Sequence, residues 1–485
     1  MRYRELRFGS GVFTASLAVL LVRFLVPRPI GMADNGDGWR LLCQLGGRQL
    51  NRPSEGWVRF SYGPAPACKS DYISSQSWLD LAANKLGILL GSHAVLNLVV
   101  LGVLTCVLLA LGVTAAVLAL DLSRRNQVIA TALILLVVAD SAFFGYFASV
   151  LSEGAGFLGI LLSIAGLLLM HRNGWWRYAG AAVATAGGLI GINAKSQTLL
   201  LIPVFVLAVL LARPAKLRGW TRWALPLAVL AIVGAGTLLT QGKGDSANAE
   251  YREANVYHVI FDSIVDGKHD SAADLAALGL PAEFAKYAGT GWWSPHAAWH
   301  DAAYGQYREQ ISRRNVVQYY RTHPERTLQI LHQGAEDTLT ARPANLGSFG
   351  ELSGQVPGTK EYRVPVLSGL SALLAPLGLF ALVPIWLFIG WAGVRAFRRG
   401  KREYGVVVSL LLLFAIGQFG LSALGEGVEG VKHQLLTLYP TLLAVVFAAI
   451  SLMPRKPIER AESAPTGEDA VTEVLPVITG SGSGA

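Results

Sequence analysis

The sequence predicts an all-α integral membrane protein: a bundle of about ten transmembrane helices with an extracytoplasmic helical segment. Three observations predict it. Hydrophobic residues make up 52% of the 485-residue chain and charged residues only 15%, against roughly 25% charged in soluble proteins. The apolar excess falls in separate blocks, each about the length that crosses ~30 Å of hydrocarbon. The basic residues cluster in short linkers between blocks, so the net charge of +9 is a membrane-topology signal and does not point to nucleic acid. Three cysteines, Cys43, Cys68 and Cys106, are too few for a disulfide-built fold, and no His/Cys spacing resembles a zinc site.

The expected spans are about 9–27, 94–120, 127–149, 156–170, 178–193, 198–212, 222–239, 366–393, 404–424 and 434–453. The first reads as an uncleaved signal-anchor, with Arg23 snorkelling from its far end. With a cytoplasmic N-terminus the short inside segments carry Arg2, Arg4 and Arg7; Arg124 and Arg125; Arg172 and Arg177; Arg213, Lys216, Arg218 and Arg222; Arg395 to Arg402; and Arg455, Lys456 and Arg460. The short outside turns 150–155, 194–197 and 425–433 hold only Lys195 and Lys432. This bias sets the orientation. Two long segments, roughly 28–93 and 240–365, then face outward.

The chain thus divides into an N-terminal transmembrane module (1–239) with a functional first outer loop, an extracytoplasmic domain (240–365), C-terminal transmembrane helices (366–453) and a disordered cytoplasmic tail (454–485). Helical stretches are expected at 35–45, 77–90, 315–321 and 325–339. Cys43 and Cys68 both face the oxidising side, where a disulfide would pin the first loop near the membrane.

Polar residues are sparse in the span midplanes and gather at the outer ends, the pattern of chemistry at the membrane–water boundary rather than of a transport route. Asp34 and Asp37 offer a general base for an acceptor hydroxyl, or the N-cap and N3 residues of a short interfacial helix. Arg40 follows on the same loop. Asp140, expected inside the third span, either shapes a substrate site with Glu153 or makes an interhelical hydrogen bond. Lys195 can meet a lipid phosphate or snorkel to headgroups. Tyr257 and His258 offer hydrogen bonds and an aromatic face to a sugar, or pack the external domain. The Trp292-Trp293 stretch carries the same two readings. Glu429, Lys432 and His433 share a face at helical spacing and suit a phosphate oxygen, or form an ion-paired turn. Five distant clusters on one face are explained together by one outward-facing site.

Ala33-Asp34-Asn35-Gly36-Asp37 through Arg40, Asn255-Val256-Tyr257-His258 with Phe261, and Glu429 with Lys432-His433 carry a family resemblance. The chain resembles GT-C glycosyltransferases that use polyprenyl-phosphate sugars, and more narrowly the WsfD-like hexosyltransferases. Asp262-Ser263 departs from the more aromatic, glycine-rich continuation of that group. The resemblance implies a GT-C-like bundle in a bacterial cell membrane. It implies transfer of a sugar, a hexose, from a polyprenyl-phosphate donor to a cell-envelope glycan or lipid-linked acceptor, with inversion. Asp37 is then the first-choice base and Asp34 the alternative. Arg40, Lys195, Lys432 and His433 would hold phosphate, Tyr257, His258 and Glu429 would orient sugar or phosphate, and Asp140 and Glu153 would shape the acceptor side. No fixed cofactor or metal is implied, although paired carboxylates at such a site can hold a divalent cation. Competing readings are a lipid-linked glycan transporter or flippase, a glycan ligase or polymerase, and a scaffold.

Overall fold

The computed structural model describes residues 2–47, 56–66, 68, 70–212, 219–242 and 247–455. The expected tail from 456 on and the basic residues Arg213, Lys216, Arg218, Lys456 and Arg460 lie outside the described residues. The chain runs through α1 (Arg2–Leu25), α2 (Trp39–Gln44), β1 (Ser61–Tyr62), α3 (Gln76–Leu89), β2 (Leu96–Asn97), α4 (Leu98–Ala119), α5 (Arg124–Val138), α6 (Glu153–Met170), α7 (Trp176–Ile192), α8 (Leu201–Leu211) and α9 (Thr221–Gln241). A segment with α10 (Ala247–His258), α11 (Ser271–Ala277), α12 (Arg313–Thr322) and α13 (Pro324–Thr340) follows. The chain then returns to the bundle through α14 (Val366–Leu374), α15 (Leu379–Arg398), α16 (Arg402–Gly425), α17 (Gly430–His433) and α18 (Leu435–Leu452). The two short strands pair antiparallel.

The protein is an all-α integral membrane protein. Among the described residues seven helices are long and apolar enough to cross a bilayer: α1, α4, α6, α9, α15, α16 and α18. The expected spans 127–149, 178–193 and 198–212 are helical but shorter. They are α5 with 15 residues, α7 with 17, and a 3₁₀ turn (Ser196–Leu200) continued by the 11-residue α8.

Two span expectations are corrected by local chemistry. The third expected span, α5, stops at Val138, and Asp140 lies beyond its end. Its carboxylate accepts the backbone N–H groups of Ala142 (2.9 Å), Leu367 (2.9 Å) and Ser368 (3.1 Å). It thereby satisfies the orphan donors at the start of α14, as an N-terminal cap does. The block 366–393 is two helices, because Pro376 and Gly378 interrupt it; Gly378 adopts φ 48. Arg23 does not snorkel. It is buried, paired with Glu361, and donates to Ala139 O at 3.2 Å and Ser141 Oγ at 3.3 Å.

The centre of the bundle is α6, buried along its whole length. Its tightest neighbour is α7, and small residues set the approach. A Cβ on Gly159 would stand 2.2 Å from Gly191 N, and one on Gly187 2.3 Å from Ser163 N. Such seams let transmembrane helices pack backbone to backbone, where dispersion replaces the missing hydrophobic drive. Because α6 and α7 are antiparallel and closely packed, the N-terminus of one and the C-terminus of the other meet at the same end of the bundle.

The segment containing α10 to α13 has a second apolar core built on Tyr257, Phe261, Phe284, Trp292 and Tyr304. The last part of α13 leaves it: Ala335 and Leu339 join the main core. This anchors the segment over the end of the bundle where α6 begins and α16 ends.

Candidate functional site

Connectors at this one end bring together a polar cluster. The first is the loop after α1. Asp34 accepts the backbone N–H groups of Gly36 (3.0 Å) and Gly38 (2.9 Å), which folds Asp34-Asn35-Gly36-Asp37-Gly38 into a tight turn. Glycine is required at its end: a Cβ on Gly38 would stand 2.1 Å from Val150 Cγ2 and 2.9 Å from Asp34 Oδ2. The expectation that Asp34 caps a helix from residue 35 is corrected. The helix starts at Trp39, with Gly38 at its N-cap, and the Asp34 carboxylate holds the turn before it. The turn presents Asp37 to Arg40, whose Nη2 donates to Oδ1 at 2.6 Å, and to Lys432, whose Nζ donates to Oδ2. The Arg40 guanidinium lies over Tyr72 (4.3 Å) and Tyr251 (5.0 Å), so it is held flat by two aromatic rings.

The second connector is the turn between α16 and α18. Glu429 adopts φ 51, a left-handed conformation uncommon for a side-chain-bearing residue and a frequent mark of functional sites. Its neighbour Gly427 (φ 71) lies so close to the segment above that a Cβ would stand 2.5 Å from the His258 carbonyl carbon. Lys432 is buried and donates to Glu429 Oε2 at 3.1 Å as well as to Asp37. Glu429 Oε1 accepts from Asn35 Nδ2 at 2.6 Å, which joins this turn to the first loop.

The third part comes from the α6–α7 seam. Lys195, just past α7, donates to Glu153 Oε1 at the start of α6 (3.0 Å) and stands 3.3 Å from His433 Nδ1. That Nδ1 also lies 2.6 Å from Glu426 Oε2 and 2.7 Å from Gln197 Nε2. With Nδ1 donating to Glu426, Nε2 is turned toward Glu429, 3.9 Å away.

Charge sets the protonation states. Burial pushes the Asp37 carboxyl up, but Lys432, Arg40 and Lys195 outweigh it and hold it well below the usual carboxylate range. Burial alone would discharge Lys432; Asp37, Glu153 and Glu429 reverse this and raise it. Lys195 is raised in the same way, against burial, chiefly by Glu153. Asp34 is raised by burial, against the two backbone N–H groups it accepts. Glu426 is lowered by His433 and Lys195 against burial. The site is therefore a charged, interlocked array in a largely buried setting, with cations able to meet a phosphate.

Of the residues expected from sequence, Asp34, Asp37, Arg40, Glu153, Lys195, Glu429, Lys432 and His433 meet here. Two do not. Asp140 is the α14 cap described above. Tyr257 is in the second core, its hydroxyl 2.7 Å from Thr290 Oγ1 and accepting from Ala298 N–H at 2.8 Å. His258 borders the site through its backbone at Gly427, while its Nε2 accepts the Trp292 N–H at 2.9 Å. Burial, aided by the charge of His433, pushes its imidazole down to about 4, so it is neutral at physiological pH. Sequence reasoning did not single out Tyr72, Tyr251, Gln197 or Glu426. The last two flank residues it did choose, and spacing alone separates them from ordinary turn residues only once the helix ends are known.

Cys43, next to Arg40 on α2, is bonded to Cys68. Among the described residues no group of three or more His, Cys, Asp or Glu side chains is arranged to hold a metal ion. Both Asp37 oxygens already face cations, which a divalent ion would have to displace.

A family profile, the YfdI N-terminal transmembrane domain, matches residues 7–462. The chain belongs to this family. YfdI proteins are a GT-C-type membrane glycosyltransferase family, so the match agrees with the broader resemblance read from the loop motifs. No curated protein and no solved structure matches the chain. In this YfdI-type chain the matched range contains every residue of the polar cluster.

Proposed function

We propose that the protein transfers a sugar, a hexose, from a polyprenyl-phosphate donor to a hydroxyl of a glycan or lipid-linked acceptor, with inversion at the anomeric carbon. The observation that carries the reading is the meeting of Asp37 with Arg40, Lys432, Lys195 and His433 at one end of an apolar bundle. A base and a set of phosphate-binding cations stand together where a lipid headgroup reaches them.

In the proposed reaction an acceptor oxygen attacks the anomeric carbon while its proton passes to Asp37. The bond from that carbon to the phosphate oxygen breaks, and polyprenyl phosphate leaves as an anion. Lys432, Arg40, Lys195 and His433 stabilise the charge that develops on the leaving phosphate. A carboxylate clasped by two cations is a weak base. A donor phosphate that draws Lys432 and Arg40 toward itself loosens that clasp, so Asp37 becomes more basic when the donor is in place. Asp34 is the alternative base, though its carboxylate already holds the turn. Glu429 lines the approach of the sugar, His258 backs the Gly427 turn that carries it, and Glu153 sets the position of Lys195.

The site faces outward in this reading, in the cell membrane of a bacterium. The charged termini of the bundle support the orientation: Arg124, Arg172, Arg402 and Arg455 lie at helix ends remote in sequence from the site connectors, Arg172 with Glu5 and Arg455 with Glu403. A disulfide beside the site suits an oxidising compartment. Against a transport route, none of the fully buried charged side chains among the described residues lies in the central turns of a candidate span.

The test is transfer by purified protein from a panel of polyprenyl-phosphate hexoses to glycan acceptors. A glycosylated product lost in Asp37→Asn supports the proposal. Donor hydrolysis without acceptor product, or wild-type transfer by the folded Asp34→Ala/Asp37→Ala double variant, refutes it.

A further inference from the structure

Two cavities reach the Glu426–Gly430 turn from different sides, and their linings carry opposite charge. The larger, about 1110 Å³, opens on Glu429 and Gly430. Its wall holds the carboxylates of Asp262, Asp266, Glu325, Glu336 and Asp337, against the cations Lys268 and Arg326. Arg326 is already engaged, donating to Ser263 O (3.1 Å), Ile264 O (2.9 Å) and Asp266 (3.0 Å). The smaller, about 590 Å³, opens on Gln197 and Glu426. Arg313 and Arg321 of α12 rim it, and Gly420, Leu421 and Leu424 of α16 form an apolar wall. Neither arginine makes an ion pair among the described residues. Gln197 is buried, lines this cavity and has a side-chain oxygen with no hydrogen-bond partner. Below the cavity the 3₁₀ turn Ser196–Leu200 and α8 pack on α16, with Leu200 of the turn against Gly417. The outer faces of these two helices carry the exposed Ile202, Val206, Leu207, Leu413, Ile416 and Leu421.

The polar cluster is divided the same way. Gln197 lines the arginine-rimmed cavity, with His433 Nδ1 behind it at 2.7 Å and Lys195 Nζ 3.3 Å from that nitrogen. Glu429 lines the acid-lined one, and behind it Asn35 and Lys432 donate to its carboxylate, Lys432 also holding Asp37.

Resting on the transfer reading above, we infer that the two substrates are sorted by charge across this turn. The lipid phosphate donor occupies the arginine-rimmed cavity, its prenyl chain along the α8–α16 seam and its phosphate toward Lys195 and His433. The acid-lined cavity takes a phosphate-free, hydroxyl-bearing acceptor. Carboxylates accept hydrogen bonds from sugar hydroxyls and repel a second phosphate, while arginine forks suit phosphate oxygens. The arrangement delivers the acceptor hydroxyl to Asp37 and the leaving group to the cations.

The test uses the full-length protein in lipid nanodiscs and a polyprenyl monophosphate carrying a diazirine on the isoprene unit next to the phosphate. Irradiation is expected to label residues 313–321 and 420–425. Arg313→Glu/Arg321→Glu, both on the exposed face of α12, is expected to cut labelling at least tenfold with an unchanged melting temperature. Labelling at 328–337 or 379–384, or labelling indifferent to the charge reversal, overturns the assignment. In transfer assays Asp262→Asn and Asp337→Asn are expected to raise the acceptor KM at least threefold with the donor KM unchanged. A soluble neutral oligosaccharide and a phosphate-free glycolipid are offered side by side to identify the source of the hydroxyl. A preference for a phosphorylated acceptor overturns the inference. Labelling needs no turnover, so correct labelling without sugar transfer sinks the transfer reading and leaves the lipid site standing.

Discussion

Replacing Lys432 by methionine, similar in length and uncharged, probes the centre of the site. The side chain is 2% exposed and touches two carboxylates, Asp37 and Glu429, which are 37% and 32% exposed. Removing one partner of a fully buried pair costs about 3–5 kcal/mol. Here both carboxylates reach water and Asp37 keeps Arg40, so the expected loss of stability is smaller, about 1–2 kcal/mol. Catalysis should suffer more. A preorganised cation at a developing phosphate charge is worth about 10²–10³ in kcat. The pH profile gives a separate signature. Lys432 is the foremost of the charges that hold Asp37 low against burial, so in the variant the acid limb of activity should move up toward the ordinary carboxylate value of about 3.9. The stability contributed by a depressed carboxyl is present above that unfolded value and is lost as pH falls toward the folded one. In the variant this acid-side loss should shrink. The assay is steady-state transfer from polyprenyl-phosphate hexose between pH 3.5 and 8, with thermal melts in detergent. Wild-type kcat with an unmoved acid limb would refute the assignment of Lys432 to both Asp37 and the phosphate. Lys432→Arg should recover part of the rate.

Further expectations follow from single contacts. His258 is depressed to about 4, so folding should weaken as pH drops from about 6.5 and the unfolded chain takes up the proton, by about 3–4 kcal/mol in full; His258→Gln should flatten this in thermal melts. Gly427→Ala forces a left-handed alanine onto the His258 backbone and should cut transfer at least tenfold, while retention of full activity would show the turn is adaptable. Asp140→Ala uncaps α14 and should cost about 1–3 kcal/mol by thermal melting with kcat and acceptor KM unchanged; a raised acceptor KM would restore its role in the acceptor site. Cys43→Ala/Cys68→Ala opens a loop of sequence separation 25 and should lower stability by about 3 kcal/mol, read as a fall in melting temperature that reductant reproduces in the wild type.

The membrane class was legible because hydrocarbon demands long apolar blocks, and those blocks are explicit in the chain. Most of the cluster was legible for a related reason: charges are expensive within spans, so Glu153, Lys195 and Lys432 stand out in short turns. What the sequence hid was local geometry. Asp140 looked intramembrane because Ala142 to Phe147 continue the apolar pattern, although the chain there makes a turn and then a buried 3₁₀ helix, Phe144–Ala148, rather than the end of an α-helix. Tyr257 sits in a motif-like run with His258, but one residue's rotation around α10 turns its ring into the second core. Arg23 seemed to need water, because Glu361, its partner, lies more than three hundred positions away.

The glycine seam between α6 and α7 makes the two helices behave as one stiff strut, with Glu153 and Lys195 fixed to the same tip. A single added methyl at Gly159 or Gly187, six residues from Glu153 and eight from Lys195, would prise that strut apart. The displacement would be felt at the tip, where a lysine and its glutamate would drift out of reach of the substrate.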